Sequence, residues 1–146
     1  MPDEKRDTHC SSSSNPSPAA SPEAAARSHD EQATIPGDGR LPLALAVPLA
    51  KLIDVVPGAV VSRTLARSKG GTITLFAMDR GQALSEHSAP FDAFVQVLQG
   101  EVEITIGPRP VRAHAGEAVM MPADVPHALT AIEPLVMLLV MIREPR

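Results

Sequence analysis

Gly81-Gln82-Ala83-Leu84-Ser85-Glu86-His87-Ser88-Ala89-Pro90-Phe91-Asp92-Ala93-Phe94-Val95-Gln96-Val97-Leu98-Gln99-Gly100 is the stretch on which the fold turns. Its second half is an aliphatic run, 92–98, closed by the turn signal Gln99-Gly100-Glu101, and another turn signal, Asp79-Arg80-Gly81, opens it. This pattern is a strand between tight turns, with 93, 95 and 97 on one face and 92 and 96 on the other. Outward from it, similar runs recur at 59–66, 72–78, 101–106, 118–121, 127–132 and 135–142. Lys69-Gly70-Gly71, Gly107-Pro108, His114-Ala115-Gly116 and Glu133-Pro134 separate them at intervals of roughly 8–12 residues, as sandwiches and barrels require. No long helical period interrupts the series, and no repeat of solenoid or propeller length is present. The expected fold is all-β, one barrel over residues 59–146.

Leu135 to Ile142 is apolar on both faces, so both must be covered: one inside the barrel, the other by a second sheet or subunit. A homodimer is therefore expected. Upstream, the apolar run Leu41 to Ala50 is only about half a membrane span and is broken by Pro42 and Pro48. It reads as the start of a lead-in, 41–58, that packs onto the barrel. The spacing of Leu49, Leu52, Ile53 and Val56, stopped by Pro57-Gly58, predicts a short amphipathic helix there.

Residues 1–40 hold seven Ser, five Pro and six Ala, with Met1 and Ile35 as their only large apolar side chains. Such a segment cannot bury enough surface to offset its backbone entropy, and it reads as a disordered leader. Cys10, His9 and His29 lie in it without metal-ligand spacing. The leader's four basic and seven acidic residues carry −3 of the net −4, leaving 9 basic and 10 acidic residues in 41–146.

Aromatic residues make up 2% of the 146, three Phe with no Trp or Tyr, so the stacking platforms of single-stranded nucleic-acid binding are missing, as is the usual aromatic floor of a carbohydrate site. The negative balance offers no footprint for duplex DNA or an anionic membrane. A single Cys rules out an internal disulfide framework and points to a reduced, cytoplasmic setting. A small-molecule partner remains.

Outside the leader the candidate chemistry reduces to His87, His114 and His127, with no Cys, no phosphate-cradling glycine loop and no nucleophile elbow around Ser85 or Ser88. His87 and His127 are the pair of interest; His114, just before a turn, reads as a solvated residue. Met78, Met120, Met121, Met137 and Met141 fall at strand spacing and read as core filler in a domain short of aromatics.

Two segments resemble the motifs of the cupin family. The first family motif runs Gly, five residues, His-x-His, three or four residues, Glu, six residues, Gly, and is similar to Gly81 through His87 and Ala93 to Gly100. The second runs Gly, five residues, Pro-x-Gly, two residues, His, three residues, Asn, and is similar to Gly116, Pro122, Val125-Pro126 and His127. The likeness extends over roughly 55–143 and implies an RmlC-like jelly-roll barrel. It also implies a divalent transition metal (Fe, Mn, Ni or Zn) held by two His and the Glu of the first motif and the His of the second.

His87 and His127 match two of those ligand positions, but Ala89 and Ala93 stand at the other two, Asp124 at the second motif's Gly and Ala131 at its Asn. Half of the implied donor set is missing. The expected pocket comprises His87, His127, Ala89 and Ala93 at the motif's ligand positions together with Glu86 and Gln96, with His87 and His127 as metal ligands. Alternation places Glu86, Asp92 and Gln96, the candidates for a third donor, on the opposite face unless a bulge intervenes. Two readings stay open. One is a two-histidine pocket that binds a divalent metal and acts on a small polar metabolite by oxygenation, isomerisation or decarboxylation. The other is a metal-free, non-catalytic module, binding a small ligand or serving as a structural dimer.

Overall fold

Alternation of large apolar and other residues along a strand puts one set of side chains on each face, and two sheets that share an apolar face close over it. The computed structural model describes residues 38–144, and the expected disordered leader, as far as residue 37, lies outside the described residues. The strands are β1 (Val60–Ser68), β2 (Gly71–Met78), β3 (Ala83–His87), β4 (Asp92–Gln99), β5 (Glu101–Ile106), β6 (Arg109–His114), β7 (Ala118–Met121), β8 (His127–Ala131) and β9 (Leu135–Ile142). They form a five-stranded sheet, β1-β2-β9-β4-β7, and a four-stranded sheet, β3-β8-β5-β6, with every pairing antiparallel. The result is the expected all-β jelly-roll barrel. Among the described residues no helix is long and apolar enough to cross a membrane.

The interior of the barrel is filled from both sheets. Val95 and Val97 of β4, Val102 and Ile104 of β5, Met137 of β9 and Met78 of β2 are all fully buried. Fully burying such a side chain contributes about 1.5–3 kcal/mol, so this cluster dominates the stability of the barrel. β3 and β6 were not among the expected strands. They are the two edges of the four-stranded sheet, and both are mostly exposed, which leaves little hydrophobic alternation to read.

A second apolar cluster lies on the outer face of the five-stranded sheet, where Leu75, Ala77 and Val136 meet Leu65 and the lead-in's Ile53, with Leu41, Leu49 and Leu52 packed against them. The short helix expected here does not form. Leu49–Lys51 makes a single 3-10 turn whose N-cap, Pro48, supplies no side-chain cap, and Val56 remains 45% exposed. The backbone hydrogen bonds of the lead-in go to the barrel instead. Arg63 of β1 donates to the Gly39 carbonyl at 2.8 Å and to the Leu52 carbonyl at 3.0 Å, and the Leu41 N–H donates to Leu65 O at 3.0 Å. The outer face of β9 at Val136 and Leu138, for which a second sheet or a subunit was expected, is thus packed by the chain's own lead-in.

Charged side chains ladder across the exposed side of β5 and β6. Glu103 opposes Arg112 in register and accepts from its Nε at 3.1 Å, and Glu101 opposes His114. His114 Nδ1 lies 2.8 Å from the Glu117 carboxylate, which also accepts the His114 backbone N–H. The hydrogen bond to Glu117, then the charge of Glu101, raises the imidazole above its ordinary value of 6.5. The backbone N–H of His114, then its ring, lowers the Glu117 carboxyl.

Gly100, between β4 and β5, has φ +82°, and a Cβ there would run into the Pro134 carbonyl. Gly100→Ala should lower stability by more than about 1 kcal/mol in urea denaturation, and an unchanged midpoint would contradict that close approach. For His114 the folded value is the higher one, so its contribution is complete below the unfolded 6.5 and fades as pH rises through the raised value. The lowered Glu117 carboxyl acts oppositely, contributing above its ordinary value of 4.5 and fading as pH falls through the lowered one. The stability gap between wild type and His114→Asn should therefore shrink above pH 6.5, read from urea melts across a pH series; a gap that widens would refute the assignment.

Candidate functional site

Strand β3 pairs with β8 through Ala83↔Thr130, Leu84↔Leu129 and His87↔His127. Three steps along β3 match two along β8, so Ser85 and Glu86 together oppose Ala128 as a β-bulge. The extra residue decides which side chain enters the barrel. Leu84 faces the interior, and unbroken alternation would send Glu86 in beside it; the bulge instead turns Glu86 out to solvent and brings in His87.

The two imidazoles stand as a cross-strand pair, ring centroids 4.6 Å apart with planes at 65°. His127 is 5% exposed and sits inside, while His87 is exposed at the rim. Each ring is held in the same way. His87 Nδ1 donates to the Ser85 carbonyl at 2.8 Å, and His127 Nδ1 donates to the Val125 carbonyl at 3.0 Å. Because a carbonyl only accepts, the neutral rings carry their proton on Nδ1, leaving Nε2 as a free lone pair on each. Backbone anchoring of this kind is also how proteins orient metal-binding imidazoles.

The pair borders a cavity of about 230 Å³ at one end of the barrel. Phe76, Leu129 and Leu139 contribute to its walls, and among the described residues the two histidines are the only polar side chains in its lining. Ala89 and Ala93 line it too, so four of the six expected pocket residues come together. Glu86 and Gln96 do not. Glu86 is exposed because of the bulge, and Gln96 opposes Ala118 and Leu138, alternating with the buried Val95 and Val97 and so facing out of the barrel. Asp92 is occupied elsewhere, its carboxylate accepting the Ala123 N–H at 2.8 Å. Asp124, where the motif has Gly, adopts φ +63°, a left-handed conformation that Asp tolerates better than most residues.

Met121 and Met141, expected as core filler, line the cavity. In register, Ala93 of β4 pairs with Met121 of β7 on one side and Met141 of β9 on the other, and all three line the cavity. Only the pairing of the strands brings them together, and no spacing along the chain announces it.

The donor set does not suit the family's divalent metal. Among the described residues no three His, Cys, Asp or Glu side chains gather as ligands, and a catalytic centre generally takes three from the protein. Two imidazoles remain, with alanine at the other two positions.

The family model for the cupin domain matches residues 74–141. None of the curated proteins matches the chain. Among solved structures, a conserved protein of unknown function from Streptococcus pyogenes is 36% identical with a TM-score of 0.70, covering 73% of this chain and 94% of its own. A cupin superfamily protein of Desulfitobacterium hafniense is 30% identical with a TM-score of 0.68, covering 72% of this chain and 96% of its own. A cupin 2 conserved barrel domain protein from Leptotrichia buccalis is 32% identical with a TM-score of 0.63, covering 64% of this chain and 46% of its own. With the likeness reaching across nearly the full length of the first two, the chain belongs to the cupin family.

Proposed function

We propose that the chain is a binding module, its cavity holding a small guest that takes electron-pair donation from the His87 and His127 Nε2 atoms. The observation that carries this reading is two backbone-anchored imidazoles at the edge of an otherwise apolar cavity. A pocket of apolar walls with a few placed polar groups is the usual form of a small-molecule site. Two neutral acceptors against such walls suit a guest with an apolar body and one or two hydrogen-bond donors, as in a phenol or an alcohol.

Enzymatic action on a small polar metabolite has less support. Charge that develops in a reaction needs preorganised donors or a metal around it, and the lining offers only the two rings. Binding is therefore the function we assign, in a cytoplasmic setting.

A second copy of the chain is the proposed partner. Phe94 pairs in register with Met120 and Val140 on the outer face of the five-stranded sheet, beside Ile142. Met120 is 53% and Ile142 49% exposed, and neither belongs to the apolar cluster that the lead-in joins. An apolar strip of this kind is a natural contact between two barrels.

Phenol should raise the melting temperature of the untagged protein, by the equivalent of about 1.4 kcal/mol at ten times its Kd, and His87→Ala at the rim should remove that shift. Elemental analysis should find Zn, Fe, Mn and Ni at background; stoichiometric amounts that disappear in His87→Ala would sink the binding-module reading. Light scattering should give a dimer that Met120→Lys converts to a monomer, and a wild-type monomer would dismiss the second copy.

A further inference from the structure

The cavity holds alanine at two of the motif's ligand positions, 89 and 93, and sulfur in the same lining. At position 93, where the motif carries a carboxylate, stands an alanine 4% exposed, flanked across the sheet by two methionines that also face the cavity. Strands lie about 4.8 Å apart, so Met121 and Met141 start about 10 Å from each other with only a methyl group between them. A thioether on three rotatable bonds can lean over that methyl from either side. The two imidazoles line the same cavity.

We infer that this cavity is a site for a soft monovalent cation, Cu(I), held by Nε2 of His87 and His127 and the thioethers of Met121 and Met141. The inference rests on the cavity and the two Nε2 lone pairs of the guest-binding reading above and adds a metal guest to the organic one. Three features select this ion. Thioether sulfur prefers Cu(I) to the harder divalent ions, while imidazole serves either. All four donors are neutral, so a single positive charge is the smallest that coordination can carry into an apolar site without a carboxylate to balance it. The Nδ1 anchors fix both rings in the tautomer whose Nε2 can ligate. Met137, fully buried, is also in the lining and adds a third sulfur to the cavity wall. Binding is the whole of the proposal, with no electron transferred.

The test uses the full chain carrying Cys10→Ser, which removes its single thiol. Under anaerobic, reducing conditions it competes for Cu(I) against the coloured chelator bicinchoninate. One Cu(I) per chain, held in the presence of excess Zn(II), is expected. Met121→Leu with Met141→Leu keeps the side chains apolar and near their native volume, so the melting temperature of the apoprotein should stay close to that of its parent. Its Cu(I) affinity should fall by at least about tenfold, and the fall should be larger for His87→Ala with His127→Ala. Failure to compete with the chelator, or undiminished affinity in the folded double-leucine variant, overturns the inference. Phenol protection measured on the same samples separates the two levels. If phenol protects and Cu(I) does not bind, the guest cavity stands and the copper site falls; if neither binds, both fall.

Discussion

A single inserted residue in strand β3 sets the chemistry of this barrel. The ladder between β3 and β8 fixes Leu84 against Leu129 and His87 against His127, and the surplus residue bulges outward opposite Ala128. Without it the strand would present Glu86 to an apolar interior, and a carboxylate there would lack any neighbouring cation among the residues that line the cavity. With it the same strand presents an imidazole that faces another imidazole 4.6 Å away. A bulge at a sheet edge changes one side chain's direction while leaving the other pairings of the sheet in place, which is why edges next to sites favour bulges.

The barrel is closed at one end by packing and open at the other by omission. Val95, Val97, Val102 and Ile104 leave no room between the sheets, whereas toward Ala93 and Ala89 the side chains shorten and a cavity of about 230 Å³ opens. The lead-in contributes from outside. By covering Leu75, Ala77 and Val136 it lets β2 and β9 be apolar on both faces, so these two strands are buried structural members that hold Met137, Leu139 and Met141 in position. Arg63, tying the lead-in down through two backbone carbonyls, connects that outer layer to the sheet.

The strands legible in the sequence were those that alternate or run apolar, and they are the ones that make the barrel's core. β3 and β6 escaped because an edge strand, wet on one side, can be polar at almost every position, as Arg109 to His114 is. The false helix arose from the reverse problem. Leu49, Leu52 and Ile53 have helical spacing because a strap crossing a sheet also needs recurrent apolar anchors, and spacing alone does not distinguish the two. The histidine pair was legible from its motif positions. The methionines around Ala93 were not, since their meeting depends on the register of three strands.

The alanines at 89 and 93 form a consistent pair with that register. A carboxylate at position 93 would sit 4% exposed between Met121 and Met141, a place tolerable only if a bound cation or a hydrogen-bonding partner offset its desolvation. Removing the donor at 89 weakens any hold on a hard divalent ion and so removes that compensation. Without such an ion a carboxylate at 93 would be a cost, and alanine avoids it. The side chains present are chemically specific: two imidazoles anchored to backbone carbonyls, and sulfur atoms that pack as hydrocarbon. The same side chains can thus stabilise the unfilled barrel and remain available as donors, which a carboxylate in that position could not do.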